Sequence, residues 1–284
     1  MHQIYLFGYP ITTSWSPVMH KAAFKACGMA GEYIVMSLPP EALQGAIEAL
    51  RHPNVLGANV TMPYKQTVMP MLNEISREAQ TLGAVNTIVN KDGWLVGHNT
   101  DVYGAIATLR TLKPKGKQVL LLGAGGAARA VLGALCNEDL LPSGVTLVNR
   151  SADRLHDIAP FLATLSYPVT PLTTADYELA SQTPPLHPTS DRRHDTNITP
   201  EPIGLLINTT TAGTLWGKLQ FDCPVWDLNY GRKSDLLRHY AVERKLPFTD
   251  GSLMLAGQAQ KAFALWTGHD LPLNTFLDEL QGAL

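Results

Sequence analysis

Two serines near the N-terminus stand two residues apart and could bind the same anion. Ser14 and Ser16 lie between a short apolar run that ends at Phe7 and a helical stretch that begins at Val18. Hydroxyls with this spacing at a strand-to-helix turn can both donate to one carboxylate. Ser16 followed by Pro17 also fits a helix N-cap with proline at the first helical position. Both interpretations of Ser16 stand at this point.

A lysine and an aspartate in the first half of the chain carry charge at predicted helix starts. Pro63 is expected to open a helix through about Leu72, which would place Lys65 in its first turn. A cation there opposes the helix dipole without an evident structural gain. Asp101 precedes a helical stretch of about 102–112 and could be its N-cap. On spacing alone, a solvated lysine and a capping aspartate remain open alternatives to functional roles.

A glycine-rich turn in the middle of the chain follows the order that a dinucleotide site requires. Val119 to Leu122 is an apolar run typical of a strand buried in a parallel sheet. Gly123 permits a tight turn, Gly125 lets the backbone approach a pyrophosphate, and the small Ala128 lets a helix pack on the strand. The N–H groups at the start of that helix would face the phosphates. The turn predicts a nucleotide site, with a plain structural turn as the alternative.

The end of the next strand indicates which dinucleotide would bind. Val145 to Val148 is a second apolar run and closes a βαβ unit of about the expected ~30 residues. An NAD site usually carries Asp or Glu after this strand, whereas here Asn149, Arg150 and Ser151 follow, and then Arg154. Guanidinium groups bind phosphate oxygens in a fork and suit a 2′-phosphate. These residues predict NADP rather than NAD, unless they are only a solvated helix start.

The elements that must position these residues form two α/β units. Strand–helix alternation around the glycine turn predicts a Rossmann-like parallel sheet, and the first hundred residues predict a second α/β unit that contains a hairpin at Asp92-Gly93. We expect a substrate domain of residues 1–101 plus 252–284, an NADP domain of residues 102–251, and a substrate cleft between them. Most of 175–202, which is rich in proline and charge, is expected to be a long mobile loop.

The bulk composition excludes several classes of protein. The 284 residues are 45% hydrophobic and 16% charged, with a net charge of −2, which gives no indication of a nucleic-acid or acidic-membrane partner. The cysteines (Cys27, Cys136 and Cys223) form no C-x-x-C pair, and no signal peptide, membrane span or metal-binding motif is recognisable. The simplest interpretation is a reduced, soluble, cytoplasmic protein that acts on a small molecule.

Taken together, several motifs make nearly the whole chain resemble the shikimate dehydrogenase family. The motifs are Ser14-Trp15-Ser16-Pro17, Asn59-Val60-Thr61-Met62-Pro63-Tyr64-Lys65, Gly83-Ala84-Val85-Asn86-Thr87, Asn99-Thr100-Asp101, Gly123-Ala124-Gly125-Gly126-Ala127, Asn149-Arg150-Ser151, and Gly251 with Gln258. The resemblance implies an oxidoreductase of aromatic amino acid (chorismate) biosynthesis that interconverts 3-dehydroshikimate and shikimate with NADPH. It also implies a substrate domain that is completed by the C-terminal helices, in a monomer or homodimer.

The resemblance assigns a role to each matching position. Lys65 matches the catalytic lysine, and Asp101 would orient it. Ser14 and Ser16 match the serines that bind the substrate carboxylate. The positions that match binders of the substrate hydroxyls are Thr61, Asn86, Asp101, Tyr230 and Gln258. The positions that match the NADP site are Gly123, Ala124, Gly125, Gly126, Ala127, Asn149, Arg150, Ser151 and Arg154, with Leu228 and Gly251 lining the nicotinamide.

Three alternatives remain open at this point. A relative that uses quinate, an amino-shikimate or another hydroxylated cyclohexane acid would share most of these residues. A methylene-tetrahydrofolate dehydrogenase has similarly arranged domains, but the Ser-x-Ser-Pro turn argues against it. A non-catalytic NADP-binding sensor would keep the glycine turn and would not need Lys65.

Overall fold

The chain folds into two compact units. The computed structural model describes residues 1–182, 202–210 and 221–283. One unit consists of Met1–Thr111, Arg129–Ala134 and Ser252–Leu284, and the other of Leu112–Ala128 and Leu135–Gly251. Within the described residues each unit contains a six-stranded sheet, which confirms the predicted α/β class. The domain boundary expected after residue 101 lies at the start of the helix Asp101–Leu112. In the structure, the first unit continues along this helix to Thr111.

The first unit begins with strands and helices in alternation and continues with a hairpin. Its elements up to the boundary are β1 (His2–Gly8), α1 (Ser16–Ala26), β2 (Gly31–Ser37), α2 (Leu43–Ala49), β3 (Val55–Val60), β4 (Glu74–Ile75), α3 (Arg77–Leu82), β5 (Thr87–Lys91), β6 (Trp94–His98) and α4 (Asp101–Leu112). Short 3₁₀ turns span Pro40–Ala42 and Met69–Met71.

The sheet of the first unit is mixed and has the strand order β2-β1-β3-β5-β6-β4. Strand β1 pairs in parallel with β2 and β3, whereas β3–β5 and β5–β6 are antiparallel. The predicted hairpin turn is present: Asp92 and Gly93 have φ angles of 52° and 89°, as a two-residue hairpin loop requires. Because β3 and β5 run in opposite directions, the carboxyl end of β3 lies beside the amino end of β5, where Asn59 is opposite Thr87.

The second unit is built on the glycine turn. Its elements are β7 (Gln118–Leu122), the first residues of α5 (Gly126–Ala134), β8 (Gly144–Asn149), α6 (Ala152–Leu162), β9 (Val169–Thr173), α7 (Thr174–Gln182), β10 (Ile203–Asn208), β11 (Val225–Asp227), α8 (Asp235–Glu243) and β12 (Phe248–Thr249), with a 3₁₀ turn over Gly231–Ser234. The rest of α5, Arg129–Ala134, belongs to the first unit. The chain then returns to the first unit as α9 (Ser252–Thr267) and α10 (Asn274–Ala283).

The sheet of the second unit is parallel throughout and has the order β12-β11-β10-β7-β8-β9. Val119 to Leu122 are fully buried, as expected for a strand covered on both faces. The strand order reverses direction between β7 and β10. In open parallel sheets, ligands bind beyond the carboxyl ends of the strands at such a switch point, and here the glycine turn lies at that end of β7.

The hydrophobic core of the first unit occupies both faces of its sheet. On one face, α1, α9 and α10 pack around the fully buried Met19, Phe263 and Phe276. On the other face, α2 buries Leu43 and Ile47. The C-terminal helices therefore complete the core of the N-terminal unit, which is the physical reason why the first unit combines the two ends of the chain.

Two predicted local structures differ from those observed, and a third prediction lies mostly outside the described residues. The segment 63–72 forms turns and a short 3₁₀ helix rather than an α-helix, because its hydrogen bonds are mostly three residues apart and the Lys65 carbonyl accepts instead from the N–H of Val85. Helix α1 begins at Ser16 with Trp15 as N-cap, so Ser16 does not cap it. Within 175–202, the first residues continue α7, and residues 183–201 lie outside the described part.

Candidate active site

The hairpin of the first unit brings an asparagine and an aspartate together although they are far apart in sequence. The backbone N–H of Asn86, just before β5, donates to the carbonyl of His98 at the end of β6 (3.0 Å). Asp101 therefore begins α4 beside Asn86, whose Nδ2 donates to Asp101 Oδ1 at 2.8 Å. A carboxylate in the first turn of a helix also interacts favourably with the helix dipole.

Lys65 completes this arrangement from the turn that follows β3. Its carbonyl accepts the N–H of Val85 at 2.8 Å, which ties the turn to the residue before Asn86. Its Nζ lies 2.5 Å from Asp101 Oδ2, with 23% of the Lys65 side chain and 13% of the Asp101 side chain exposed. The α-helix predicted to start at Pro63 is wrong, so Lys65 does not oppose a helix dipole. The ion pair provides a different and stronger reason for a lysine at this position.

Asn86 is held by a second set of hydrogen bonds on its opposite side. Its Oδ1 accepts from the backbone N–H of Thr100 at 2.7 Å and from the hydroxyl of Thr87 at 2.9 Å. The residue is 3% exposed. Because its oxygen is saturated by these donors, the amide nitrogen must point toward Asp101. One side chain thus caps the start of α4 and orients the carboxylate that pairs with Lys65.

A buried polar chain leads from this cluster toward the paired serines. Asn59 Nδ2 donates to Thr87 Oγ1 at 3.0 Å, and the Tyr33 hydroxyl donates to Asn59 Oδ1 at 2.8 Å. Burial raises the pKa of Tyr33, and a hydrogen bond with Ser16 opposes that rise. Buried polar groups are stable only when they are hydrogen-bonded, so this chain of partners fixes the separation between Ser16 and Asn59.

The other predicted substrate-binding residues of the first unit are Ser14 and Thr61, next to the ends of their elements, and Gln258, within α9. Ser14 Oγ accepts the N–H of Ser16 at 3.3 Å, so Ser14 holds the turn before α1. The N–H of Thr61 donates to the carbonyl of Phe7, which places Thr61 just beyond β3. Gln258 in α9 is 7% exposed; its amide donates to the carbonyl of Leu255 (2.9 Å), and its oxygen lies 3.5 Å from Thr100 Oγ1.

The glycine turn of the second unit has the geometry of a phosphate cradle. Gly123 has φ +101°, and a Cβ there would lie 2.5 Å from Thr209 Oγ1, so only glycine fits. A Cβ on Gly125 would meet no protein atom within 4 Å, which leaves open space beside the backbone. Ala128 is fully buried, as the close packing of helix on strand requires. Helix α5 starts at Gly126, so its free N–H groups follow directly after this open space.

The residues after β8 suit the recognition of a second phosphate. Asn149 ends β8, and its amide donates to the carbonyl of Ser151 at 2.9 Å, which shapes the turn into α6. Arg150 and Arg154 are exposed on either side of that helix start. Two guanidinium groups here, with no carboxylate before Asp153, fit a 2′-phosphate better than a free ribose hydroxyl.

The remaining predicted cofactor residues lie where β11 and β12 end. Gly251 donates its N–H to the carbonyl of Asn229 at 3.0 Å, and a Cβ on Gly251 would lie 2.0 Å from the Leu228 carbonyl oxygen. Only glycine therefore allows these two backbone segments to approach so closely. Tyr230 directly precedes the 3₁₀ turn as its N-cap residue, and burial raises the pKa of its hydroxyl.

Comparison with known proteins identifies the family. Residues 6–88 match the sequence model of the shikimate dehydrogenase substrate binding domain. The shikimate dehydrogenase (NADP(+)) of Alkaliphilus metalliredigens is 34% identical, with 94% of this chain and 92% of the relative covered. That of Caldanaerobacter subterraneus subsp. tengcongensis is 31% identical, with 98% of this chain and 96% of the relative covered. This chain belongs to the shikimate dehydrogenase family.

Solved structures of family members agree with this assignment. Shikimate 5-dehydrogenase from Thermus thermophilus, crystallised in complex with NADP(H) and shikimate, is 28% identical and superposes over the whole of both chains with a TM-score of 0.79. Shikimate dehydrogenase from Aquifex aeolicus is 27% identical, with a TM-score of 0.82 over 99% of this chain and 98% of that one.

The described residues contain neither a metal-binding cluster nor a membrane-spanning helix. No group of three or more His, Cys, Asp or Glu side chains there could hold a metal ion. In the same ranges, no helix combines the length and the hydropathy needed to cross a bilayer.

Within the first unit, the structure joins Lys65, Asp101 and Asn86 directly and links Ser16 to them through buried side chains. Sequence reasoning assigned no role to the intermediates Asn59 and Thr87, although both lie in the family motifs. Tyr33 carried no sequence signal, because a tyrosine in a strand is ordinarily a packing residue. The contribution of these residues became visible only through the antiparallel register of β3 and β5.

Proposed function

We propose that this chain is an NADP-dependent shikimate dehydrogenase that reversibly reduces 3-dehydroshikimate to shikimate. The observation that carries the proposal is the hydrogen-bonded cluster in which Asp101 pairs with Lys65 at one oxygen and with Asn86 at the other. Such a cluster holds an ammonium group in a fixed position beside hydrogen-bonding side chains, which is what the reduction of a hydroxylated ketone needs.

The second unit supplies residues that fit NADP. Gly123 to Ala127 would receive the pyrophosphate at the open side of Gly125 and the start of α5, while Asn149, Arg150, Ser151 and Arg154 would hold the 2′-phosphate end. Leu228 and Gly251 would line the nicotinamide. NADPH, when bound, supplies the hydride for the reduction.

The role of Lys65 follows from the charge that develops on the substrate. Reduction of a ketone places negative charge on its oxygen, and the Lys65 ammonium can stabilise that charge and deliver a proton to the oxygen. Asp101 holds Nζ in position throughout, and the hydrogen bond from Asn86 keeps the carboxylate oriented toward Lys65. In the reverse direction, neutral Lys65 accepts the proton of the substrate hydroxyl.

The polar side chains that match the family motifs would suit a substrate with one carboxylate and several hydroxyls. Ser14 and Ser16 would bind the carboxylate through their hydroxyl groups. The side chains that would bind the ring hydroxyls are Thr61, Asn86, Asp101, Tyr230 and Gln258. We propose a monomer or homodimer in solution, which light scattering would distinguish.

A substrate-by-cofactor activity matrix tests the proposal. Shikimate, quinate and an amino-shikimate are each assayed with NADP and with NAD by the absorbance of the reduced nicotinamide. We expect the highest kcat/KM for shikimate with NADP. A higher value for quinate or the amino-shikimate would favour the variant enzymes, and binding of NADP without turnover of any of these acids would favour a non-catalytic sensor.

Removal of the Lys65 amine tests the mechanism. We expect Lys65→Ala and the longer Lys65→Met to lower turnover by at least ~10²-fold, because a general acid–base group contributes about that much. NADP affinity, measured by titration, should be largely unchanged. Lys91→Ala, an exposed lysine at the end of β5 in the same unit, is the matched control and should retain full turnover. Near-normal activity of both Lys65 variants would remove this residue from the chemistry.

A further inference from the structure

A buried carboxylate lies at the carboxyl edge of the second unit's sheet, next to its switch point. Three residues stand side by side in register where their strands end: Leu122 of β7 is opposite Asn208 of β10, which is opposite Asp227 of β11. Leu122 immediately precedes Gly123 of the glycine turn. This register places Asp227 two strands away from the strand that leads into the proposed cofactor site. The residue is 1% exposed and therefore lies inside the protein.

Several donors converge on one oxygen of this carboxylate. Asp227 Oδ1 accepts from Asn208 Nδ2 at 2.9 Å, from the backbone N–H of Asn229 at 3.1 Å, and from Asn229 Nδ2 at 2.8 Å. Burial raises the pKa of the Asp227 carboxyl, and these hydrogen bonds oppose the rise. A buried ionisable group with this many directed bonds constrains its partners strongly.

The partners of Asp227 fix the residues that directly follow the carboxyl ends of β10 and β11. The amide of Asn229 also donates to the carbonyl of Thr210 (2.8 Å), and Asn208 Oδ1 accepts from the N–H of Thr210 at 3.1 Å. Thr209 lies between Asn208 and Thr210 in the chain, and its hydroxyl donates to the carbonyl of Leu122 at 2.7 Å. The same hydroxyl lies against Gly123. Thr209 and Thr210, the first residues after β10, are therefore anchored to the glycine turn on one side and to Asp227 on the other.

The same hydrogen bonds fix the backbone of the residues that would line the nicotinamide. Leu228 donates its N–H to the carbonyl of Asn208 (2.9 Å), and the Asn229 carbonyl accepts the N–H of Gly251 (3.0 Å). Since a Cβ on Gly251 would lie 2.0 Å from the Leu228 oxygen, these two segments tolerate little displacement. Through Asn208 and Asn229, Asp227 thus links the backbone of Leu228 and Gly251 into one hydrogen-bonded surface.

We propose that Asp227 is a positioning residue for the nicotinamide end of the cofactor: by gathering the side chain and backbone donors of Asn208 and Asn229, it holds Leu228 and Gly251 in the orientation that hydride transfer requires. The inference rests on the proposed function. Asp227 itself is buried below this surface and acts through these neighbours. An error of about 1 Å in the placement of a reacting group can lower turnover by about 10²-fold, so an intact fold with a loosened surface would be a poor catalyst.

Asp227→Asn, which keeps the side-chain volume and removes the charge, tests the proposal in three measurements. We expect turnover of shikimate to fall by roughly 10²-fold with an unchanged KM for shikimate. Binding of 2′-phospho-ADP-ribose, which lacks the nicotinamide, should be unchanged, because the phosphates are held at the other end of the site. The change in NADPH nicotinamide fluorescence on binding should be diminished relative to the wild type, since that signal reports the surroundings of the ring.

Thr146→Val is the matched control within the same sheet. The substitution removes Thr146 Oγ1, which accepts a hydrogen bond from Gln118 Nε2 (3.1 Å) between β7 and β8. Gln118 is the first residue of β7, so this bond lies away from the carboxyl ends of the strands. This variant should lose some stability and keep both turnover and the fluorescence change. If Asp227→Asn does not fold, Asn229→Ala removes one donor to Asp227 and the bond to Thr210, and it should shift the same measurements in the same direction.

The possible outcomes separate this inference from the proposed function. Wild-type turnover and wild-type nicotinamide fluorescence in Asp227→Asn would overturn the positioning role, as would equal effects in Thr146→Val. A wild-type protein that binds NADPH but does not turn over shikimate would contradict the proposed function, and the fluorescence comparison would still decide the role of Asp227. A wild-type protein that does not bind NADPH would overturn both.

Discussion

His20 makes the stability of the first unit depend on pH. Its imidazole lies in α1 with no exposed surface and stacks on Tyr33 at a centroid distance of 4.5 Å, with Trp266 edge-on at 5.5 Å. Neither ring nitrogen has a hydrogen-bond partner among the described residues. Burial lowers the pKa of His20 from 6.5 to about 3, because the aromatic surroundings offer nothing to solvate a positive charge.

The sign and size of the effect follow from this depressed pKa. Between pH 6.5 and about 3 the unfolded chain binds a proton at His20 that the folded chain does not, so the free energy of unfolding decreases as the pH falls. Each pKa unit of difference between the two states is worth about 1.36 kcal/mol. The loss from this residue is therefore roughly 2 kcal/mol at pH 5 and approaches roughly 5 kcal/mol near pH 3.

Urea unfolding of wild type and His20→Leu at pH 8, 7, 6 and 5 measures this contribution. Leucine has a similar volume and no titrating group, so any packing difference should be the same at every pH. We expect the stability of His20→Leu relative to wild type to rise by roughly 2 kcal/mol between pH 8 and pH 5. His2→Gln, at an exposed position of the same unit, should behave like wild type. A stability difference that does not change with pH would refute the reasoning.

Two further substitutions test the packing of the first unit and the cofactor choice of the second. Gly104→Ala should lower the free energy of unfolding by about 1–3 kcal/mol in the same urea assay. The new Cβ would lie 2.1 Å from the Met254 carbonyl oxygen, and this overpacking outweighs the better helix propensity of alanine. Unchanged stability would contradict this prediction. Arg150→Ala should raise the KM for NADP by roughly 10- to 100-fold, because a charge-assisted contact with a phosphate contributes about that much to binding. The KM for NAD, which lacks the 2′-phosphate, should not change. Equal changes for both cofactors would exclude a contact between Arg150 and the 2′-phosphate.

Local patterns predicted most elements of the fold. The apolar run 119–122 and the turn after it are recognisable because a buried parallel strand and a glycine turn each restrict the residue types severely. Asp92-Gly93 was equally informative, because few residue pairs adopt positive φ twice in succession. The strand β9 was missed, since Pro171 within it is unusual for a strand; its place at the edge of the sheet explains why proline is tolerated there.

The turn 62–71 shows why local patterns can mislead. Pro63 followed by helix-compatible residues predicts an α-helix, but the Lys65 carbonyl is committed to Val85, a residue whose proximity depends on the pairing of β3 with β5. Long-range hydrogen bonding therefore overrides local propensity in this segment. Ser16 is a second example: its sequence context predicts an N-cap, but α1 begins at Ser16 itself and Trp15 occupies the N-cap position.

The sequence by itself determined the residue types: a glycine where only positive φ or close approach is possible, arginines whose guanidinium groups suit a phosphate, and a lysine, an aspartate and an asparagine in motifs of one family. Only the tertiary structure decided that Lys65, Asp101 and Asn86 share hydrogen bonds and that Asp227 anchors two loops beside the glycine turn. The physical reason is that hydrogen bonds require atoms within about 3 Å, and for residues separated by tens of positions that distance depends on strand register and helix packing rather than on local sequence.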